Sequence, residues 1–131
     1  MSRQLNLLVT RGCTLKSGEI FSVNESVPSN ITYEQLEQGI TNGTYTLRPL
    51  SGKEYTGQIR ERANTGVLAD LVFTVAENRM TFSVPASVTK TWENVDATFF
   101  YDVFETDIST GEVAVAVHGK IAVSAAITQE I

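Results

Sequence analysis

Side chains able to do covalent or metal chemistry are scarce in this sequence. It holds one histidine, His118, and one cysteine, Cys13. A lone histidine makes no zinc site without cysteine or carboxylate partners beside it. One cysteine allows no intrachain disulfide. Cys13 follows Arg11 and Gly12, and a neighbouring guanidinium lowers a thiol pKa. No base accompanies it, so we expect a partly buried, inert thiol. His118 stands between Val117 and Gly119 in a strand-like run and reads as a surface or interface residue.

Carboxylates cluster at Asp102, Glu105, Asp107 and Glu112. Paired carboxylates do acid–base work or bind calcium. Here Asp107 and Glu112 flank a turn, where acidic side chains bond the local backbone, so their expected role is structural. The run Asp107-Ile108-Ser109-Thr110-Gly111 has the outline of a calcium loop but lacks the later bidentate glutamate. The glycines at 39 and 43 come without the lysine of a phosphate-binding loop. The expectation is no catalytic residue, no metal and no cofactor. Sequons begin at Asn24, Asn30 and Asn42. The N-terminal apolar cluster is too short for a secretory signal, which argues against glycosylation.

The chain has 131 residues, the length of one domain, read as a single unit over 1–131. Its 42% hydrophobic and 19% charged residues suit a folded core. The net charge of −5 disfavours nucleic acid and anionic membranes, both of which need a basic patch. No apolar run is long enough for a membrane span. Such a chain is built to hold things rather than to react with them.

The elements that position these residues are mostly strands. Leu5, Leu7 and Val9 alternate with Asn6, Leu8 and Thr10, and Gly12 ends the run. Residues 15–23 form a second candidate, broken by Lys16-Ser17-Gly18. Residues 24–30 read as loop. The only helix expected covers 32–38, where Thr32 and Gln35 make a capping box and Gly39 ends the helix in the left-handed conformation. Strands are expected at 44–50 and 55–60, followed by a charged loop over 60–66. Residues 68–75 and 80–84 form a hairpin whose turn uses Asn78. Residues 85–96 cross between layers with Trp92 in the middle. Residues 97–106 and 112–125 make the last hairpin. Short strands at regular spacing with turn signals predict an all-β sandwich or barrel.

The last hairpin carries the functional hint. Val113, Val115, Val117, Gly119, Ile121 and Val123 alternate onto a core face. Ala114, Ala116, His118, Lys120 and Ala122 then fall on the other face. On the neighbouring strand Phe99, Tyr101 and Val103 face the core, which leaves Phe100 and Phe104 opposite. Phe100, Phe104, Ala114, Ala116 and Ala122 would make an apolar outer patch, the kind that marks a partner surface. Either a partner covers it, or the chain's own residues 24–43 do, with Leu36. A carbohydrate-binding module is another reading, with Trp92 exposed beside Tyr45 or Tyr55 as a stacking platform; against it, Trp92 suits the core at the sandwich end.

A set of motifs resembles a known family. Residues 6–15, with the Gly12-Cys13 turn, resemble the opening strand of small tailed-phage structural domains. Tyr55-Thr56-Gly57-Gln58-Ile59-Arg60-Glu61 resembles their central strand. Met80-Thr81-Phe82-Ser83-Val84-Pro85-Ala86 leads to Phe100-Tyr101-Asp102-Val103. Asp107, Gly111-Glu112-Val113, Gly119-Lys120-Ile121-Ala122-Val123 and Ile127-Thr128 follow. This order resembles the N-terminal domain of phage baseplate upper proteins. Residues 18–50 depart from it as an insertion carrying the short helix.

The resemblance implies an immunoglobulin-like antiparallel β-sandwich with one short helix in an insertion. It implies a non-enzymatic virion protein, a baseplate or tail accessory or fibre adaptor, with capsid decoration as the alternative. Its partners would be other virion proteins and copies of itself in a symmetric assembly, with no nucleic acid and no membrane.

Overall fold

A computed structural model describes residues 3–62, 66–92 and 97–124. Residues 63–65 of the charged loop, 93–96 of the crossing segment, and Ile127 and Thr128 lie outside the described residues, as does the end of the last strand at 125. The strands are β1 (Arg3–Gln4), β2 (Leu7–Thr10), β3 (Leu15–Lys16), β4 (Lys53–Arg60), β5 (Val67–Asp70), β6 (Val72–Ala76), β7 (Arg79–Val84), β8 (Thr98–Asp107) and β9 (Val113–Ser124). Two helices join them, α1 (Tyr33–Thr41) and α2 (Ala86–Thr89). A six-stranded sheet runs β1-β9-β8-β4-β5, with β2 also on β9; a three-stranded sheet runs β3-β7-β6. The expected all-β sandwich is therefore present. Among the described residues no helix is long and apolar enough to cross a membrane.

The core lies between the two sheets. Phe82, Val84 and Met80 from β7 meet Ile59, Phe99, Tyr101, Val103, Val117 and Ile121 from the large sheet. The period-2 alternation of Met80, Phe82 and Val84 appears directly as alternating burial along β7. Trp92 closes one end. It is 3% exposed, with its ring edge-on to Phe99 at 5.2 Å.

Several expectations are corrected. The sandwich is not purely antiparallel, because β1 and β2 both pair in parallel with β9. Between them the backbone leaves the ladder at Leu5 and Asn6. A Cβ on Gly119 would collide with the Leu5 carbonyl, so only glycine lets the chain pass there. The Leu5 carbonyl accepts from the Tyr101 hydroxyl at 2.6 Å, and Asn6 Oδ1 takes the place of a ladder carbonyl by accepting from the Lys120 amide.

The 68–75 run is not one strand. It crosses from the large sheet to the small one at Leu71, whose amide donates to the Gly57 carbonyl. The hairpin turn that follows has both Glu77 and Asn78 at positive φ, the two-residue geometry whose twist matches its strands.

The helix has its capping box at Thr32 and Gln35 but runs past Gly39, to a cap at Asn42 followed by Gly43 at positive φ. Gly39 serves packing instead, since a Cβ there would strike the Tyr45 ring. A second short helix, α2, beyond the single helix expected, opens the crossing segment after Pro85; Thr89 Oγ1 accepts from the Gly12 amide and donates to the Cys13 carbonyl. Residues 44–50 form no strand beyond a single bridge of Leu47 to Val23, and residues 15–23 pair only at β3 and through isolated bridges at Ile20 and Val23.

Candidate interaction surface

The outer face of the large sheet is built by β8 and β9 with β2 at its edge. Pairing places Phe100 opposite Lys120, Thr98 opposite Ala122, and Leu8 beside Ala122. Phe100 is 42% exposed and Leu8 83% exposed. The Lys120 ammonium sits 5.8 Å from the Phe100 ring centre, on the same face. Phe104 and Ala122 are half-buried there. Asp102 and His118 pair across the same strands, and Gln58 lies opposite Asp102 on β4. The face therefore mixes apolar and charged groups, as interface rims and cores do.

Ala114 and Ala116 do not share this face. The β8–β9 register shifts between Val103 and Phe104, so that Val103 opposes Val117 and Phe104 opposes Val115. Ala116 is the extra residue. A bulge reverses the side-chain parity beyond it. Ala114 and Ala116 consequently fall on the inner face beside the space between the sheets, Ala116 packed on the core and Ala114 exposed at its rim. Val113 and Val115, expected in the core, turn outward with Phe104, and Val113 is 61% exposed. The structure thus brings Phe100, Phe104 and Ala122 together, separates Ala114 and Ala116 from them, and adds Leu8, Val113 and Val115. The strand alternation in the N-terminal run already put Leu8 off the core face. Nothing in the sequence marks the bulge.

The 18–50 segment does not take this face as its seat. Helix α1 is anchored at the end of the small sheet by Arg79. That guanidinium forms a bidentate pair with Glu37 at 2.6 and 3.0 Å and lies 4.4 Å over the Phe21 ring, which in turn packs against Tyr33. Arg79 holds the Glu37 carboxyl below the usual carboxylate range. Beyond the helix, Arg48 returns the segment to the large sheet. Its guanidinium donates to both Glu105 oxygens at 3.1 and 2.7 Å, and to Ser22 Oγ through Nε. The Tyr55 hydroxyl donates to the same carboxylate at 2.7 Å.

That cluster accounts for Glu105, and a turn accounts for Asp107. Burial raises the Glu105 pKa, but Arg48 and Tyr55 outweigh it and the net shift is downward. Burial first, then the Glu105 carboxylate, pushes the Tyr55 phenol up. Asp107 accepts from the Ser109 hydroxyl and amide and from Lys53 Nζ, which holds it well below its usual value. Asp107 and Glu105 therefore do structural work in turn and packing. Among the described residues no group of three His, Cys, Asp or Glu side chains is placed to hold a metal ion.

Cys13 is exposed rather than partly buried. The Arg11 guanidinium turns away to the Trp92 carbonyl at 2.6 Å. His118 is exposed, as expected for a surface residue. The aromatic platform does not assemble: Trp92 is buried, Tyr45 covers Gly39, and the Tyr55 hydroxyl is held by Glu105. Two sequon asparagines are in local use, Asn24 donating to Thr46 and Asn42 accepting from the Thr44 amide.

The cavity between the sheets is about 630 Å³ and is lined by Ile20, Leu50, Met80, Ala114 and Ala116, with the Arg48–Glu105 pair in its wall. Its lining is mostly apolar, with residues 114–117 of β9 along one side. No protein-family profile matches the chain, and no curated protein matches it significantly.

Proposed function

We propose that this chain is a non-enzymatic structural subunit of a tailed-phage virion, a baseplate or tail accessory or fibre adaptor, that binds neighbouring virion proteins. The observation that carries the reading is the outer face of the large sheet. Phe100, with Leu8 toward one end of the β8–β9 ladder and Val113 at the other, is exposed on that face, and α1 is anchored elsewhere, at Arg79. Exposed apolar groups on an otherwise packed sheet face favour a partner over solvent.

An immunoglobulin-like arrangement fits this role. The order β3-β7-β6 against β9-β8-β4-β5 matches strands B-E-D against G-F-C-C′ of that fold. The resemblance of the strand motifs to baseplate upper proteins points to the tail; that part rests on analogy. Many copies around a symmetry axis would multiply weak contacts into stable binding.

The test has two parts. Immunogold labelling of purified virions should mark the distal end of the tail. Label spread over the head supports the decoration reading instead, and no label on the virion removes both. The variant Phe100→Asp should abolish incorporation while its thermal unfolding stays cooperative, because Phe100 lies outside the core. Normal incorporation of this variant rejects the outer face as the contact.

A further inference from the structure

Among the described residues strand β9 extends beyond its parallel partners. The pairing of β1 begins at Val117, and β2 pairs only from Ile121 onward. Residues 113–116 therefore pair with β8 alone among the described residues. The Asp107 amide donates to the Glu112 carbonyl at 2.9 Å. Ladder bonds alternate along an antiparallel strand. Ala114 accordingly turns its backbone groups to β8, and Val113 and Val115 turn theirs to the open edge. The extra residue at Ala116 reverses this parity, so past the bulge it is the even-numbered His118 and Ser124 whose carbonyls accept from Leu5 and Arg11 on that edge.

Soluble proteins guard such edges with lysine, proline or other charged side chains. Val113-Ala114-Val115-Ala116 has none of these. Beside this edge lies the mostly apolar cavity of about 630 Å³, whose lining includes the small side chains of Ala114 and Ala116 and, in its wall, the Arg48–Glu105 pair.

We propose that this edge and its cavity bind an extended segment of another protein by strand addition. The incoming backbone bonds to Val113 and Val115, and every second side chain enters the cavity against Leu50 and Met80. An extended backbone is the occupant because its alternating donors and acceptors match those left on the edge. The same edge already accepts strands at β1 and β2, so the added strand continues an existing ladder. Charge selects the kind of chain. Each copy carries a net charge of −5, and Glu112 stands at the end of the edge. The segment is thus apolar at alternate positions and flanked by lysine or arginine, and it comes from a different protein rather than a second copy. The inference does not depend on which assembly the domain joins.

The probe is the peptide Lys-Thr-Val-Thr-Leu-Thr-Val-Thr-Lys, added to the full chain and followed by amide hydrogen exchange. At saturation the Val113 and Val115 amides should slow about tenfold or more, while exposed amides of α1 stay unchanged. In Val115→Pro the free N–H is removed and the β8 ladder is kept; protection should be lost. Ala114→Arg, which fills the cavity mouth, should also lose it while its thermal unfolding stays cooperative. Absence of protection, protection on another edge, or protection that survives both folded variants overturns the proposal. Self-association of the peptide-free chain that Val115→Pro abolishes also overturns it, because the occupant is then a second copy.

Discussion

Replacing Glu105 with glutamine tests the hinge between the 18–50 segment and the large sheet. The carboxylate accepts from Arg48 Nη1 at 3.1 Å, from Nη2 at 2.7 Å and from the Tyr55 hydroxyl at 2.7 Å. Glutamine keeps the shape and one acceptor oxygen, but its NH2 group faces the guanidinium as a second donor. A hydrogen bond to a charged group contributes about 1.5–3 kcal/mol. Glu105 is 16% exposed and Arg48 37% exposed at the side chain, so water replaces part of what Arg48 loses. With that discount for screening, Glu105→Gln should cost about 2 kcal/mol, or a fall in Tm of about 6 °C for a chain of this size.

The pH dependence follows from the direction of the shift. The folded Glu105 pKa is depressed, by Arg48 and Tyr55 acting against burial. Its contribution is thus fully present above the unfolded value of about 4.3 and is lost as pH falls through the folded value. Urea unfolding of parent and variant from neutral to acid pH should show a gap that closes in acid. A gap below about 0.5 kcal/mol at neutral pH, or one that stays constant into acid, refutes the assigned role of the Arg48–Glu105–Tyr55 cluster.

Two further outcomes test the packing. Gly119→Ala should displace the crossing at Leu5 and cost about 2 kcal/mol, since a Cβ there collides with the Leu5 backbone; the Leu5 amide, bonded to the His118 carbonyl, should exchange faster, and unchanged exchange contradicts the crossing. Trp92, 3% exposed and edge-on to Phe99, should emit at short wavelength and resist quenching by iodide. Emission typical of a solvated indole would return it to the list of possible ligand platforms.

Much of the fold is legible in the sequence because its signals are local. The capping box at Thr32 and Gln35 forms, since a hydroxyl and an amide three residues apart meet on any first helical turn. Asn78 takes positive φ as its side chain allows. The alternation of Met80, Phe82 and Val84 becomes buried alternation because the side-chain period of a strand is two. The shortage of histidine and cysteine is equally plain from composition, and it leaves surfaces rather than reactive groups as the functional features.

What the sequence could not decide is set by contacts between distant segments. The bulge at Ala116 has no local marker: one extra residue in β9 against β8 reverses the faces of Val113, Ala114 and Val115. Gly39 and Gly119 look like a helix stop and a strand position, yet each is glycine because Tyr45 or Leu5 passes over it. Leu71 is an ordinary member of an apolar run until its amide bonds Gly57 and the chain changes sheets. Composition and periodicity determined that the chain is a β-sandwich poor in reactive groups. The surface it presents was decided only when register, bulge and crossing were fixed together, because a shift of one residue moves every later side chain to the opposite face.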